Sequence, residues 1–287
     1  ADLDILAYGK DGLVILRNEL LTEGDDAGTR VLTPVEQSED FAAVRDVLTA
    51  LPVDFDHDGD LDLVVSAEAG ISVWLNRDDS TFVDHSQFST LPPADSKIHK
   101  LIAVDWDRNV SIDVLAFGGT SGGVLTNILH GQLRWEPFPR ESNVVFENRT
   151  VALLDADSNF SWDLLTVTRT EKMDVRGQLT WFGTSNADAG VTRFTHEGLI
   201  RGPKVYDFET CDFDNDGFLD AITWEWAMDH HRLGFYRGGP NAVFEAIDGS
   251  KNDFDSQLKA CETADIDSDG DVDLVVVCEN SVEVLIN

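Results

Sequence analysis

A short acidic loop occurs five times in the sequence and constrains the fold more than any other feature. In the clearest copy, residues 54–65, acidic side chains stand at positions 1, 3, 5 and 9, and an apolar run follows at once. The copies start at residues 54, 105, 155, 212 and 265, so they are 51, 50, 57 and 53 residues apart. Five matches at near-equal spacing predict a fold built from repeats of about 50 residues.

The ligand chemistry of these loops indicates calcium. Carboxylates packed this closely repel one another unless a cation lies among them, and a flexible site with many oxygen ligands suits Ca²⁺. An EF-hand needs Glu at loop position 12, whereas position 12 is Val65, Ala116, Thr166, Thr223 or Val276 in these copies. We therefore predict up to five structural Ca²⁺ sites of another type. The candidate ligands, at positions 1, 3, 5, 7 and 9, are Asp54, Asp56, Asp58, Asp60, Asp62, Asp105, Asp107, Asn109, Ser111, Asp113, Asp155, Asp157, Asn159, Ser161, Asp163, Asp212, Asp214, Asp216, Phe218, Asp220, Asp265, Asp267, Asp269, Asp271 and Asp273.

The segments around each loop predict four β-strands per repeat and an all-β fold. An apolar run such as residues 101–104 precedes the loop, and a β-rich run such as residues 61–65 follows it. After a turn comes a second β-rich run, and then a segment with one large aromatic residue. These aromatic residues are Phe82, Trp135, Phe194 and Phe244.

The repeats resemble the FG-GAP or VCBS class of integrin α-subunit heads and bacterial surface proteins, and the resemblance covers essentially the whole chain. It implies a β-propeller of four-stranded antiparallel blades, with Ca²⁺ bound between the first two strands of a blade. It is strongest in the loops at Asp54, Asp212 and Asp265, where position 6 is glycine. Position 6 is Val110 or Phe160 in the other two loops, and position 5 is Asn. Glycine accommodates the turn better and Asp brings more charge, so we expect weaker sites there.

The repeats define one expected domain over residues 1–287, with boundaries near 1–46, 47–97, 98–148, 149–203, 204–257 and 258–287. Six blades are visible, and the first and last lack strands. We therefore expect a piece of a longer chain that forms a seven-bladed ring, with an open ring as the alternative. Residues 37–48 fit one or two helical turns inserted between the first two blades.

The net charge of −33, from 54 acidic and 21 basic residues, argues against a nucleic-acid partner. No apolar run of about 18 residues predicts a membrane span in this segment. Extracellular calcium modules commonly need about 10⁻⁴ to 10⁻³ M Ca²⁺, which the cytosol does not offer. We therefore predict an extracellular, cell-surface or periplasmic location.

Two enlarged hairpins are the candidate partner-binding face. The ninth loop position and an Asn at the end of the third strand are 14 residues apart in four repeats, at 4 and 18, 62 and 76, 113 and 127, and 273 and 287. The connection is longer through residues 169–176 and 224–231, on the blade face opposite the calcium loops. Binding residues are often on such loops. The candidates are Trp226, Asp229, His230, His231, Lys172 and Arg176. The alternatives are long hairpins with solvated charges, or a metal or catalytic role for residues 229–231.

The expected function is non-enzymatic: a calcium-stabilised scaffold for extracellular protein interaction or adhesion. Residues 119–123 match G-x-S-x-G, but a strand and not a helix is predicted to follow. One alternative is a propeller lectin that stacks sugars on some of its seven Trp residues. Another is an enzyme of the polysaccharide-lyase type.

Three cysteines leave at least one thiol unpaired within the chain. Folding the hairpin about Asp269 places Cys278 within one residue of facing Cys261, so a disulfide between them is a hypothesis. A register error of one residue would turn the two side chains to opposite faces. Cys211 precedes the Asp212 loop at a position that is apolar in the other repeats, and we expect a buried free thiol there.

Overall fold

The structure, a computed structural model, describes residues 4–22, 28–77, 81–118, 122–128, 131–138, 144–155, 160–170, 177–186, 192–227, 230–240, 243–247 and 253–287. Contacts along the chain group it into two compact units, Ala1–Phe138 and Pro139–Asn287. Each unit is described by itself. The prediction of one domain over residues 1–287 stays a prediction.

The first unit consists of three antiparallel sheets, which correspond to the first three predicted blades. Blade 1 has three strands and blades 2 and 3 have four each, in the order of the chain. The strands are β1 (Ile5–Gly9), β2 (Gly12–Leu20), β3 (Arg30–Pro34), β4 (Val47–Val53), β5 (Asp62–Ala67), β6 (Gly70–Asn76), β7 (Phe82–Asp84), β8 (Ile98–Val104), β9 (Asp113–Gly118), β10 (Gly122–Asn127) and β11 (Leu133–Pro137).

Blade 2 shows why the strand after each loop is continuously apolar. Leu63 and Val65 pack in the core shared with blade 1, and Val64, between them, packs in the core shared with blade 3. Successive side chains of a strand point to opposite faces, so a blade covered on both faces needs apolar residues at every position. The whole of β5 is buried.

The insertion before blade 2 contains α1 (Glu39–Ala42), which confirms the helical turn predicted within residues 37–48. The Ser38 hydroxyl accepts the Phe41 N–H at 3.4 Å and caps the helix. The Phe41 ring is buried against Trp74 and Phe82, with ring centroids 5.1 Å apart in each pair. Two 3₁₀ turns, Ser86–Phe88 and Ala94–Ser96, connect blades 2 and 3.

The second unit contains a continuous sheet and a separate three-stranded sheet. Its strands are β12 (Val144–Leu154), β13 (Asp163–Thr170), β14 (Gly177–Asn186), β15 (Thr192–Cys211), β16 (Asp220–Ala227), β17 (His230–Gly239), β18 (Val243–Ala246), β19 (Asp253–Phe254), β20 (Leu258–Ala264), β21 (Asp273–Cys278) and β22 (Val282–Leu285). Blade 6 is β20–β21–β22.

Blades 4 and 5 are joined by β15, which serves both. Its first part pairs with β14 as far as Val205, and from Val205 onward it pairs with β16. One extended segment is therefore the fourth strand of blade 4 and the first strand of blade 5. The predicted repeat boundary near residue 204 falls inside this strand.

The disulfide hypothesis is wrong. The pairing of β20 with β21 is regular from Ala264 to Ala260 and places Cys261 opposite Val276. The register then shifts between Ala260 and Leu258, and Cys278 lies opposite Leu258. All three thiols are free and buried in one apolar cluster. Burial raises the pKa of both Cys211 and Cys261 to about 12, so these thiols stay protonated.

Candidate metal centres

All five loops begin with the same turn. The position 1 carboxylate accepts the backbone N–H of position 6 at 3.2 Å from Asp54, 3.1 Å from Asp105, 3.0 Å from Asp155, 2.9 Å from Asp212 and 3.2 Å from Asp265. Position 6 has a positive φ in every copy, from 64° at Phe160 to 98° at Gly59. The exposed residues Val110 and Phe160 adopt this left-handed conformation without the freedom that glycine has.

The ninth-position aspartates are anchors of the backbone. Asp62, Asp113, Asp163, Asp220 and Asp273 are all buried. In four of these loops, one oxygen accepts the N–H of position 2, at 3.0 Å from Phe55, 2.9 Å from Trp106, 2.8 Å from Phe213 and 2.9 Å from Ile266. The other oxygen accepts an N–H at the end of the third strand, from Asn76, Asn127, Gly238 or Asn287. Each of these carboxylates therefore ties both ends of its hairpin together.

The four anchors differ in the pKa of their carboxyl groups. Burial raises the pKa of Asp62 and of Asp113 to about 6, and it also raises the pKa of Asp220. The pKa of Asp273 is lowered, because the N–H groups of Asn287 and Ile266 outweigh the cost of burial.

Four loops bring carboxylate oxygens together within 4.8 Å of one another. The groups are Asp54, Asp56 and Asp58; Asp105, Asp107 and Asp113; Asp212, Asp214 and Asp220; and Asp265, Asp267 and Asp269. In the fifth loop, Asp157 and Asn159 lie outside the described residues. Within the described residues, the Oδ1 atoms of Asp54, Asp56 and Asp214 are buried without a hydrogen-bond partner. Carboxylate oxygens in this state fit a hard cation.

Burial, followed by the nearby Asp58 charge, raises the pKa of Asp56. In the Asp265 loop, loss of solvation raises the pKa of Asp267, and the Asp269 charge is the next cause. A cation among these groups would offset the repulsion that raises the two pKa values.

Other predicted ligands have different partners. Asn109 donates its amide to Asp107 at 3.1 Å, and its Oδ1 atom accepts the Ser111 N–H at 2.8 Å. Asp216 accepts the Phe218 N–H at 2.9 Å, and Asp58 accepts the Asp60 N–H at 3.0 Å. Asp271 accepts the side-chain amide of Asn215 at 2.9 Å, which links the loops of blades 5 and 6. Ser161 lies two residues before the anchor Asp163 in the sequence.

The Asn that lies 14 residues after the ninth loop position has a structural role that the sequence analysis did not predict. The Asn at the end of the third strand donates its backbone N–H to the anchor Asp of its own blade. The side chain of Asn127 also donates to the Phe55 carbonyl of blade 2 at 2.9 Å, and that of Asn287 donates to the Phe213 carbonyl of blade 5 at 2.7 Å. Blade 5 has Gly238 at this position, and a Cβ there would lie 2.0 Å from the Leu219 carbonyl oxygen. Asn127 and Asn287 therefore each link their blade to the one before it, whereas the Asn76 side chain donates to the Leu61 carbonyl of its own blade at 3.2 Å.

The predicted partner face is only partly exposed. Trp226 and His230 lie beside the β16–β17 turn, at the end of β16 opposite Asp220. Trp226 is 41% exposed, whereas His231 is 7% exposed and offers little surface to a partner. The His231 ring lies 4.3 Å from the Trp226 ring, and its Nδ1 atom is hydrogen-bonded to the Tyr206 hydroxyl at 3.1 Å. Burial, followed by the Lys259 charge, lowers the pKa of His231.

His230 forms an ion pair with Asp253 at 3.2 Å when it is protonated. The remaining candidates, Asp229, Lys172 and Arg176, lie outside the described residues.

A buried ionic network in the same hairpin was not predicted. Glu225 is 1% exposed and accepts two hydrogen bonds from Arg232, at 2.9 and 2.6 Å, and one from the Tyr236 hydroxyl at 3.0 Å. A Cβ at Gly234 would lie 2.7 Å from a Glu225 oxygen, so glycine makes room for the carboxylate. The sequence signal was a Glu inside an apolar strand, between Trp224 and Trp226.

Comparison with known proteins adds to this geometry. The family model described as "FG-GAP-like repeat" matches residues 54–116, which include the loops at Asp54 and Asp105. The resemblance inferred from the sequence is confirmed for this segment. A search of curated proteins found no match to the sequence.

Two of the solved structures that match this chain differ in how closely they superpose on it. One is an Agrocybe aegerita lectin, described for specific recognition of non-reducing terminal N-acetylglucosamine. It is 17% identical, with a TM-score of 0.57 over 99% of this chain and 73% of the lectin chain. The predicted β-propeller class with four-stranded antiparallel blades is confirmed. The other is the Photorhabdus luminescens Tc holotoxin pore, 17% identical over 97% of this chain, which spans 13% of that chain, with a TM-score of 0.46.

No helix among the described residues combines the length and apolar character needed to cross a membrane. The seven-bladed ring stays a prediction.

Proposed function

We propose that the chain is a calcium-stabilised propeller scaffold that binds a protein or glycan partner outside the cytosol. The observation that carries the calcium assignment is the Asp54 loop. There, two buried carboxylate oxygens, Asp54 Oδ1 and Asp56 Oδ1, have no hydrogen-bond partner, and Asp58 completes a group of ligand atoms within 4.8 Å. A cation would take the place of water around these oxygens and offset the repulsion between the carboxylates.

The extracellular, cell-surface or periplasmic location follows from the concentration of Ca²⁺ that loops of this kind need. The role that we propose is binding, without catalysis. The polysaccharide-lyase alternative stays a sequence prediction, and no geometry of the described residues favours it.

Calorimetry and thermal unfolding in Ca²⁺ and in chelator test the calcium assignment. Ca²⁺ should raise the melting temperature, because it binds the folded state alone. The double variant D54N/D56N should lose one calcium site and part of that response. The matched control is D40N/D95N, which removes the same charge from exposed side chains outside the loops. An unchanged melting temperature in chelator, or equal losses in both double variants, would count against the assignment.

Glycan binding at the Trp226 end of blade 5 is the second candidate. Its support is an exposed indole that is held from behind by His231, which is itself hydrogen-bonded to Tyr206. Such a ring offers a fixed stacking surface at low entropic cost. The lectin of similar fold makes N-acetylglucosamine-terminated glycans the first probes. On a glycan array, W226A should abolish binding, whereas F88A, at another exposed ring, should not. Equal signals from W226A and the parent chain would exclude this surface.

A further inference from the structure

The Asp212 loop has a cation of its own. Arg237 Nε lies 2.5 Å from Asp214 Oδ2, in an ion pair that reaches from strand β17 into the loop. The other oxygen of the same carboxylate, Asp214 Oδ1, is buried and has no hydrogen-bond partner in the described residues. One oxygen of this predicted ligand therefore faces a guanidinium, and the other remains available to an ion.

The position that carries this charge in blade 5 holds other residues in blades 2, 3 and 6. Gly238, Asn76, Asn127 and Asn287 occupy the same structural position, since each donates its backbone N–H to the anchor Asp of its blade. The residue just before that position is Arg237 in blade 5, and it is Leu75, Thr126 or Ile286 in blades 2, 3 and 6. In blade 1, Asn18 donates its N–H to Asp4 in the same way, and the residue before it is Arg17.

We propose that Arg237 is a built-in counter-ion that holds the Asp212 loop in its ion-free state and weakens Ca²⁺ binding there. The proposal rests on the proposed calcium function and ranks the loops within it. Arg stays charged at all working pH values, so it neutralises one of the carboxylates permanently. A single and a double positive charge about 6 Å apart in water repel by about the energy of a tenfold change in affinity. Sequence alone places this loop among the strongest.

A titration that resolves the individual loops tests the proposal. Gly59, Gly217 and Gly270 each donate their N–H to the first Asp of their own loop, so the amide signal of each reports one site. Resolution by loop is needed because the Asn215–Asp271 hydrogen bond links the loops of blades 5 and 6. The full chain, labelled with ¹⁵N-glycine, would be titrated with Ca²⁺, and the three signals would be assigned by single Gly→Asn substitutions.

In R237Q, the Ca²⁺ concentration at the midpoint of the Gly217 titration should fall about tenfold, and that of the Gly59 titration should not change. The melting temperature in chelator should also fall, because the ion-free loop loses its counter-ion. The reciprocal variant is I286R, since Ile286 is 54% exposed and precedes Asn287 in blade 6. It should raise the midpoint at Gly270, and the neutral control I286Q should not.

Three results would overturn the proposal. Weaker Ca²⁺ binding at Gly217 in R237Q would make Arg237 a support that orients Asp214. An unchanged midpoint would make the ion pair irrelevant to the metal. The absence of a Ca²⁺ response at all three glycines of the parent chain would overturn the proposed calcium function as well, and that result differs from the first two.

Discussion

The loops at Asp54 and Asp212 follow one sequence pattern but differ in their electrostatic surroundings. Both have acidic residues at positions 1, 3, 5 and 9 and glycine at position 6. Both have a left-handed backbone at positions 4 and 6 and a buried anchor Asp with two backbone hydrogen bonds. Asp214, however, forms an ion pair with Arg237, whereas the residue of the Asp54 loop that can carry a positive charge is His57, next to Asp56. The local pattern thus specifies the turn, whereas the charge beside Asp214 comes from Arg237, which is 23 positions further along the chain (237 minus 214).

The two blades also differ at the far end of the hairpin. In blade 2 the pairing of the second and third strands ends at Ala67 and Gly70, whereas in blade 5 it continues to Ala227 and His230. The added length carries Trp226 and His231. The calcium end of the blade is thus the repeated part, and the opposite end is where the blades diverge.

The largest expected effect tests what the two loops share. D62A and D220A should each lower the free energy of unfolding by about 3–5 kcal/mol, measured by urea denaturation in chelator. Each substitution leaves two backbone N–H groups without their acceptor, and these groups face the buried site of the Asp side chain that was removed.

The controls D58A and D216A remove exposed loop carboxylates and should cost less than about 1 kcal/mol in chelator. A difference of more than about 2 kcal/mol between D62A and D220A would break the equivalence of the two anchors.

The features that could be predicted from the sequence are local or periodic. The loop turn depends on residues within nine positions, and the four strands of a blade follow from the short apolar and β-rich runs near each loop. The Arg237–Asp214 pair could not be predicted, because it depends on which residue of β17 faces the loop. The Cys261–Cys278 hypothesis is wrong because Cys261 pairs with Val276, one residue away from the partner that folding about Asp269 predicts, so the two cysteines are not directly opposite. Burial of His231 required knowledge of its contact with Tyr206.

An intermediate effect separates loops with glycine from those without it. G59A and G217A should each cost about 1 kcal/mol, because a Cβ at either position would meet no heavy atom within 4 Å and only the positive φ is penalised. V110G should be stabilising by about 0.5–1 kcal/mol for the same reason. Thermal unfolding in chelator measures all three. A stabilising G59A or a destabilising V110G would show that the side chain at position 6 makes contacts that matter more than backbone strain.

The smallest effect belongs to His231, at the end of blade 5 that has no counterpart in blade 2. Burial lowers its pKa in the folded chain, so the unfolded chain binds more protons as the pH falls through the ordinary His value of about 6.5. His231 therefore makes the folded chain less stable as the pH falls through that window, and the slope of the unfolding free energy against pH corresponds to at most about one proton.

The variant H231Q keeps a hydrogen-bonding group for Tyr206 but does not ionise. The unfolding free energies of H231Q and the parent would be measured between pH 7.5 and 5.5, a range of about one unit on either side of the ordinary His pKa of about 6.5. The unfolding free energy of H231Q should fall less steeply than that of the parent over this range. H230Q is the matched control at the adjacent, more exposed position. Parallel curves for H231Q and the parent would mean that the ring is solvated, and the fixed stacking surface proposed at Trp226 would lose its support.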